Sequence, residues 1–231
     1  MHKGIFITGT DTAVGKTFVA AGLVRAFKEK GFNVCPMKPV ESGCRVRKGK
    51  LIPSDTLKLI TAADVNEAVD LINPYRFRQP LAPSVAAELE GVKINRKTIF
   101  SAYNRLSKKY DLTIVEGAGG IMVPVYRTYL FLDLINDLRL PVVVVSRPGL
   151  GTINHTLLTI EAARARRIEV AGVIINCSTR GGIDISVKSN PDVIEKVGGA
   201  PVLGIIPYRK KPETDNKSIF LMIAERILSR L

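Results

Sequence analysis

A chain of 231 residues with 46% hydrophobic and 24% charged side chains has the balance of an ordinary globular protein with a sizeable core. No apolar run approaches the length of a membrane span, and "MHKGIFITG" enters a strand pattern without a signal-like segment, so a cytoplasmic protein with no membrane partner is expected. Three cysteines (Cys35, Cys44, Cys177) without a CxxC pair and only two histidines exclude a zinc cluster and a disulfide framework, while the net charge of +13 raises the question of nucleic acid.

In chain order, apolar β-branched runs mark strands at 3–9, 32–39, 111–117, 141–146, 170–176 and 202–207. They are nearly continuous rather than alternating, as expected where both faces of a parallel sheet are covered. Helical patterns fall between them at 16–30, 55–63, 83–90, 96–109, 129–138, 152–167, 190–197 and 216–231. The first carries Val19, Leu23, Ala26 and Phe27 on one stripe, and Gly31 stops it. This alternation predicts a doubly wound α/β fold with a mostly parallel sheet, as one domain over 1–231. The longest polar stretches, 40–54 and around 178–190, both follow strands, where ligands bind in this architecture. Basic residues are scattered over 45–50, 76–78, 164–167 and 209–211 without interleaved aromatics. The charge therefore reads as a solvated surface that also draws anionic small molecules, and no nucleic-acid partner is expected.

The residues that carry chemistry stand at strand ends. In "ITGTDTAVGKT" a strand gives way to a glycine loop and then to a helix at Lys16. The spacing is unusual: Gly15, Lys16 and Thr17 fit a phosphate loop, but Thr10 holds the place of its first glycine and Gly9 comes one residue early. Strand, loop and helix in register aim backbone N–H groups and the positive helix end at an anion. Thr12, Ala13, Val14 and Gly15 form the cradle, Lys16 would reach the β- and γ-phosphates, and Thr17 would hold Mg²⁺. In "VEGAGG" Glu116 ends a buried strand before Gly117, Ala118 and Gly119, the place of a second ligand for a hard ion. Asp55 in "IPSDTLKL" is either another ligand or a helix cap. Lys38 in "PMKPVESG" is held by Pro39 on the same edge and could stabilise a transferring phosphoryl group, with Ser42 and Gly43 continuing its loop. The turn Gly151, Thr152, Ile153 and Asn154 opens a further helix, an anion site suited to a carboxylate. On that helix the stripe Ile153, Leu157 and Ile160 marks the core face and leaves His155 structural. Asn176 either reads an adenine edge or is an ordinary strand-end amide, and the cysteines, lacking a paired base, read as inert. On residue types alone, these features support an Mg–nucleotide enzyme of phosphoryl-transfer type and leave the acceptor unnamed.

The ordered series "TGTDTAVGKT", "KPVESG", "SD" at 54–55, "NPYRF", "VEGAGG", "GLGTINHTLLT", "AGVIIN" and "LGIIP" resembles the dethiobiotin synthetase family over about residues 4–207. The resemblance implies a homodimeric α/β fold of P-loop NTPase type and an ATP-dependent ring closure. In that family 7,8-diaminononanoate and CO₂ form a carbamate, ATP phosphorylates it, and the second amine closes the cyclic urea. Carried onto this chain, the resemblance puts Thr17, Asp55 and Glu116 on Mg²⁺ and makes Lys16 and Lys38 catalytic. It puts Thr12 and Ser42 on the diamine or carbamate and residues 151–154 on the substrate carboxylate across the dimer. Asn176 and Pro207 would contact adenine, and Gly117–Gly119 would lie on the nucleotide side. An acidic residue often stands in that family where this chain has Ala13. The alternative with the same sheet is a partition-type ATPase binding DNA or a membrane, but its signature lysine would replace Asp11, an acid of the wrong sign.

Overall fold

The computed structural model describes residues 3–178 and 185–231, so part of the polar segment predicted near 178–190 lies outside the described residues. The first half contains β1 (Lys3–Gly9), α1 (Lys16–Glu29), β2 (Val34–Met37), β3 (Val40–Glu41), β4 (Arg45–Arg47), β5 (Lys50–Ile52) and α2 (Ser54–Ala63). It continues with α3 (Val69–Ile72), β6 (Tyr75–Arg76), α4 (Pro83–Leu89) and α5 (Arg96–Lys109). The second half contains β7 (Leu112–Gly120), β8 (Pro124–Tyr126), β9 (Tyr129–Leu130), α6 (Phe131–Leu138), β10 (Val142–Ser146) and α7 (Thr152–Ala165). It ends with β11 (Val170–Asn176), α8 (Ile185–Gly198), β12 (Val202–Ile206), α9 (Pro212–Asp215) and α10 (Lys217–Leu228). Among the described residues no helix is long and apolar enough to cross a membrane.

Six strands form one sheet in the order β12-β11-β10-β1-β7-β2, with every pairing parallel. Successive β1 side chains enter opposite layers. Ile5 and Ile7 pack with Leu23, Phe27, Leu59 and Ile223 from α1, α2 and α10, whereas Phe6 packs with Ile99, Leu106, Phe131 and Ile160 from α5, α6 and α7. Each such buried apolar side chain contributes about 1.5–3 kcal/mol, which is why both faces of these strands are apolar. Both sheet edges are modified: Pro36 interrupts β2, and Arg226 of α10 donates to the carbonyls of Val202 and Leu203 on β12.

Several boundaries differ from expectation. The second strand stops at Met37 rather than 39, because the Lys38 N–H leaves the sheet to bond the Ile72 carbonyl. Strand β7 runs past 117 to Gly120, since its register on β1 shifts and Gly9 pairs with Gly120. Glu116 is therefore inside the strand and not at its end. The polar stretch 40–54 is ordered, as β3 paired with β6 and a β4–β5 hairpin turned by Lys48 and Gly49 at positive φ. Residues 129–130 are strand, and α6 begins at 131, where Asp133 accepts from the Leu130 N–H. The predicted helix at 190–197 starts earlier, at Ile185, and the tail breaks into α9 and α10 around buried Asn216. On α7 the buried side chains are Thr152, Thr156, Thr159, Ile160 and Ala163, while Ile153 and Leu157 are half-buried. The expected stripe is rotated because Leu157 packs toward the end of α8 at Gly198 instead of the sheet.

Candidate active site

The displaced glycine has a steric cause. Lys16 folds back over the loop and its Nζ donates to the Asp11 carbonyl at 2.9 Å. A Cβ on Gly9 would lie 2.9 Å from that Nζ and 2.8 Å from the Asp11 carbonyl oxygen, so glycine is needed at 9. Ala13 and Gly15 adopt left-handed conformations with φ of 57° and 88°. Gly15 precedes α1 without a side-chain cap, which leaves the N–H groups of the first turn for an anion. Asn176, at the end of β11, fastens the loop from beneath: its Nδ2 donates to the Val14 carbonyl at 2.9 Å. Asp11 accepts from the Thr12 N–H and pairs with Arg147 at 2.7 Å; the Thr12 bond, aided by Arg147, holds its carboxyl below the usual value.

Opposite the loop stands a buried charged group. Glu116 Oε1 accepts from Thr17 Oγ1 at 2.8 Å and from Lys38 Nζ at 2.6 Å. Lys38 also lies 3.7 Å from Asp55 Oδ2, and Lys58 approaches Asp55 Oδ1 at 3.5 Å. Burial would lower the Lys38 ammonium, but the charges of Glu116 and Asp55 outweigh it and the net direction is upward. For Lys16 the compensation from Glu116, Asp11 and Asp55 is too small. Burial, with the neighbouring Lys38 charge, brings it down to about 8.

The second oxygen of Glu116, Oε2, is buried and has no protein partner. An orphaned carboxylate oxygen beside the Thr17 hydroxyl and the Asp55 carboxylate fits a hard divalent ion whose other ligands come from phosphate and water. Among the described residues no group of three or more His, Cys, Asp or Glu could hold a metal on its own. The two readings of Asp55 are also separated. Helix α2 is capped not by Asp55 but by the buried Glu41 carboxylate, which accepts from the Asp55 N–H, the Thr56 N–H and the Thr56 hydroxyl. The Asp55 side chain is left for Lys38 and Lys58.

A cavity of about 850 Å³ joins these parts. It is lined by Thr12, Ala13, Gly15, Lys16, Thr17, Lys38, Ser42, Asp55, Glu116, Ala118 and Gly119, with a wall of Phe18, Pro80, Leu81, Pro83 and Val123. Sequence reasoning missed Glu41, Lys58 and Arg147, which belong to no phosphate-loop pattern; the one available signal was an acid inside the "KPVESG" loop. Other expected residues are not part of this lining. Gly117 offers its carbonyl at 3.5 Å from Lys38 Nζ, and the Pro207 carbonyl accepts from Asn216 Nδ2. Val14 and Asn176 lie beneath the loop, and Gly151, Thr152, Ile153 and Asn154 do not line this cavity. Beside that turn Leu150 is 87% exposed, while Thr152 Oγ1, Thr156 Oγ1 and His155 Nδ1 are buried without partners. Burial pushes the Cys35 and Cys44 thiols up to about 12 and about 11, in keeping with inert groups.

A family model described as an AAA domain matches residues 3–216. A protein named ATP-dependent dethiobiotin synthetase BioD from Thermodesulfovibrio yellowstonii is 46% identical over 215 residues, covering 90% of each chain. Proteins of the same name from Methanocaldococcus jannaschii and Bacillus subtilis (strain 168) are 44% and 38% identical. They cover 93% and 97% of this chain, and 99% and 95% of their own length. Among solved structures, the septum site-determining protein MinD complexed with Mg-ADP from Pyrococcus horikoshii superposes with a TM-score of 0.63 at 18% identity, over 98% of this chain and 96% of that one. A ParA family ATPase from Chlorobium tepidum gives 0.57 at 14% identity, over 100% and 98%. At such identities these two bear on the fold alone, which is that of P-loop ATPases. The relatives aligned over nearly their whole length decide the matter: the chain belongs to the family of ATP-dependent dethiobiotin synthetases.

Proposed function

We propose that this chain is an ATP-dependent ligase that closes the ureido ring of dethiobiotin from 7,8-diaminononanoate and CO₂. The observation that carries the reading is Lys38 held between Glu116 and Asp55 across the cavity from the phosphate loop. A carbamate oxygen attacks the γ-phosphorus and ADP departs. The second amine then attacks the carbonyl of the mixed anhydride, the C–O bond to phosphate breaks, and the amine's proton passes to the departing phosphate or to water as the ring closes. Lys16 and Lys38 supply fixed positive charge where negative charge develops on the transferring group. Mg²⁺ held by Thr17, Asp55 and Glu116 would neutralise phosphate charge and orient the phosphates. Thr12 and Ser42 would face the diamine or carbamate, and the apolar wall would keep water from the anhydride. Asn176 and Pro207 would border the adenine. Residues 151–154 lie outside the cavity lining of their own chain, and in a homodimer they would serve the substrate carboxylate of a second copy.

The decisive assay is ADP release measured with each substrate omitted in turn. ADP should form only when diaminononanoate and bicarbonate are present together, with dethiobiotin appearing in equal amount. ATP hydrolysis indifferent to both would sink the reading.

A further inference from the structure

Glu41 is 3% exposed, and both its oxygens are committed to α2. Oε1 accepts from the Asp55 N–H at 2.9 Å; Oε2 accepts from the Thr56 N–H at 2.9 Å and the Thr56 hydroxyl at 2.7 Å. These are charge-assisted bonds at a positive helix end, stronger than neutral ones. A local Ser or Asp at the cap position would satisfy the same N–H groups more simply, yet that position is Pro53, with no side-chain cap. The long-range bond therefore does something a local cap does not. Glu41 lies on β3, three residues after Lys38 and one before Ser42, and the β4–β5 hairpin separates it from α2. Its carboxylate ties the backbone of Asp55 to the segment that carries Lys38 and Ser42.

We propose that Glu41 is a positioning residue. It fixes the first turn of α2 so that the Asp55 carboxylate stands beside Lys38 and Glu116, and it holds the ion-binding and substrate-facing sides of the cavity in one frame. The proposal rests on the reading of Asp55 as a ligand of the nucleotide-bound ion.

The test measures binding of Mn²⁺, a paramagnetic stand-in, to the protein carrying a non-hydrolysable ATP analogue, alongside thermal unfolding of the nucleotide-free protein. Glu41→Ala should weaken Mn²⁺ by about 10- to 100-fold, as loss of an outer-shell partner does, while metal-free nucleotide binding stays near wild type. Should that variant fail to fold, Glu41→Gln, which keeps the volume and one acceptor, should show a smaller loss in the same direction. Adding Pro53→Asp to Glu41→Ala supplies a local cap to the same N–H groups. It should recover the unfolding temperature and leave Mn²⁺ affinity low. Recovery of both would overturn the proposal and reduce Glu41 to a helix cap. Wild-type Mn²⁺ affinity in Glu41→Ala, with a loss in Asp55→Asn, would overturn the proposal alone. Wild-type affinity in Asp55→Asn would overturn the ligand reading and the proposal with it.

Discussion

Lys16 should make the nucleotide-free protein less stable than it would be without the charge. Its ammonium falls from 10.5 to about 8 in the folded chain, through burial first and the Lys38 charge second. A lysine lowered on folding costs stability in full below its folded value, and the cost is relieved as pH rises from there toward its unfolded value. The gap of about 2.5 corresponds to roughly 3 kcal/mol at pH 7. Lys16→Met removes that cost and also one charged hydrogen bond, from Nζ to the Asp11 carbonyl, worth about 1.5–3 kcal/mol. The variant should thus gain up to about 1.5 kcal/mol at pH 7, or up to roughly 3–6 °C in unfolding temperature for a chain of this size. At pH 10 the advantage should vanish or reverse, because the wild-type lysine is then neutral. Thermal unfolding of both proteins at the two pH values, without nucleotide, measures the difference. A variant less stable at pH 7, or equally stabilised at both, would refute the reasoning. Adding ATP should reverse the order, since ligand binding stabilises only the protein that still binds it.

Lys38→Met leaves buried Glu116 without its cation and should cost about 3–5 kcal/mol in denaturant unfolding. Divalent ions with nucleotide should return part of that stability, while turnover falls far more than nucleotide affinity. Gly15→Ala forces a Cβ to 2.1 Å from Asn176 Nδ2 at a φ of 88°. It should abolish detectable ATP binding by calorimetry and cost at least about 1–2 kcal/mol. A thiol reagent at pH 8 should modify only Cys177 in the native protein, read by mass spectrometry, because Cys35 and Cys44 are buried with thiols near 12 and 11.

The sheet was legible because its strands, buried on both faces, are short β-branched apolar runs, and length and β-branching separate them from buried helix where periodicity alone does not. The phosphate loop and Lys38 were legible because each sits where a strand stops. The short pairs β3–β6 and β8–β9 were not, since two- and three-residue strands carry no period of their own. The face of α7 was misjudged because threonines join Ile160 on the inward side, while Ile153 and Leu157 are only half-buried. Asp55 remained ambiguous because "PSD" is a cap pattern; its true cap, Glu41, lies 14 residues away and leaves no mark on local spacing. Only tertiary contact separates the acid that caps from the acid that is free.

The edges of the sheet carry a last consequence. Pro36 offers no N–H to a strand approaching β2, and Arg226 already occupies two carbonyls of β12. A strand from another molecule therefore finds an interrupted ladder on either side, the usual protection of natural sheets against edge-to-edge stacking and fibre growth. Sheet extension is thus disfavoured as a route to assembly, relative to contacts through helices and loops.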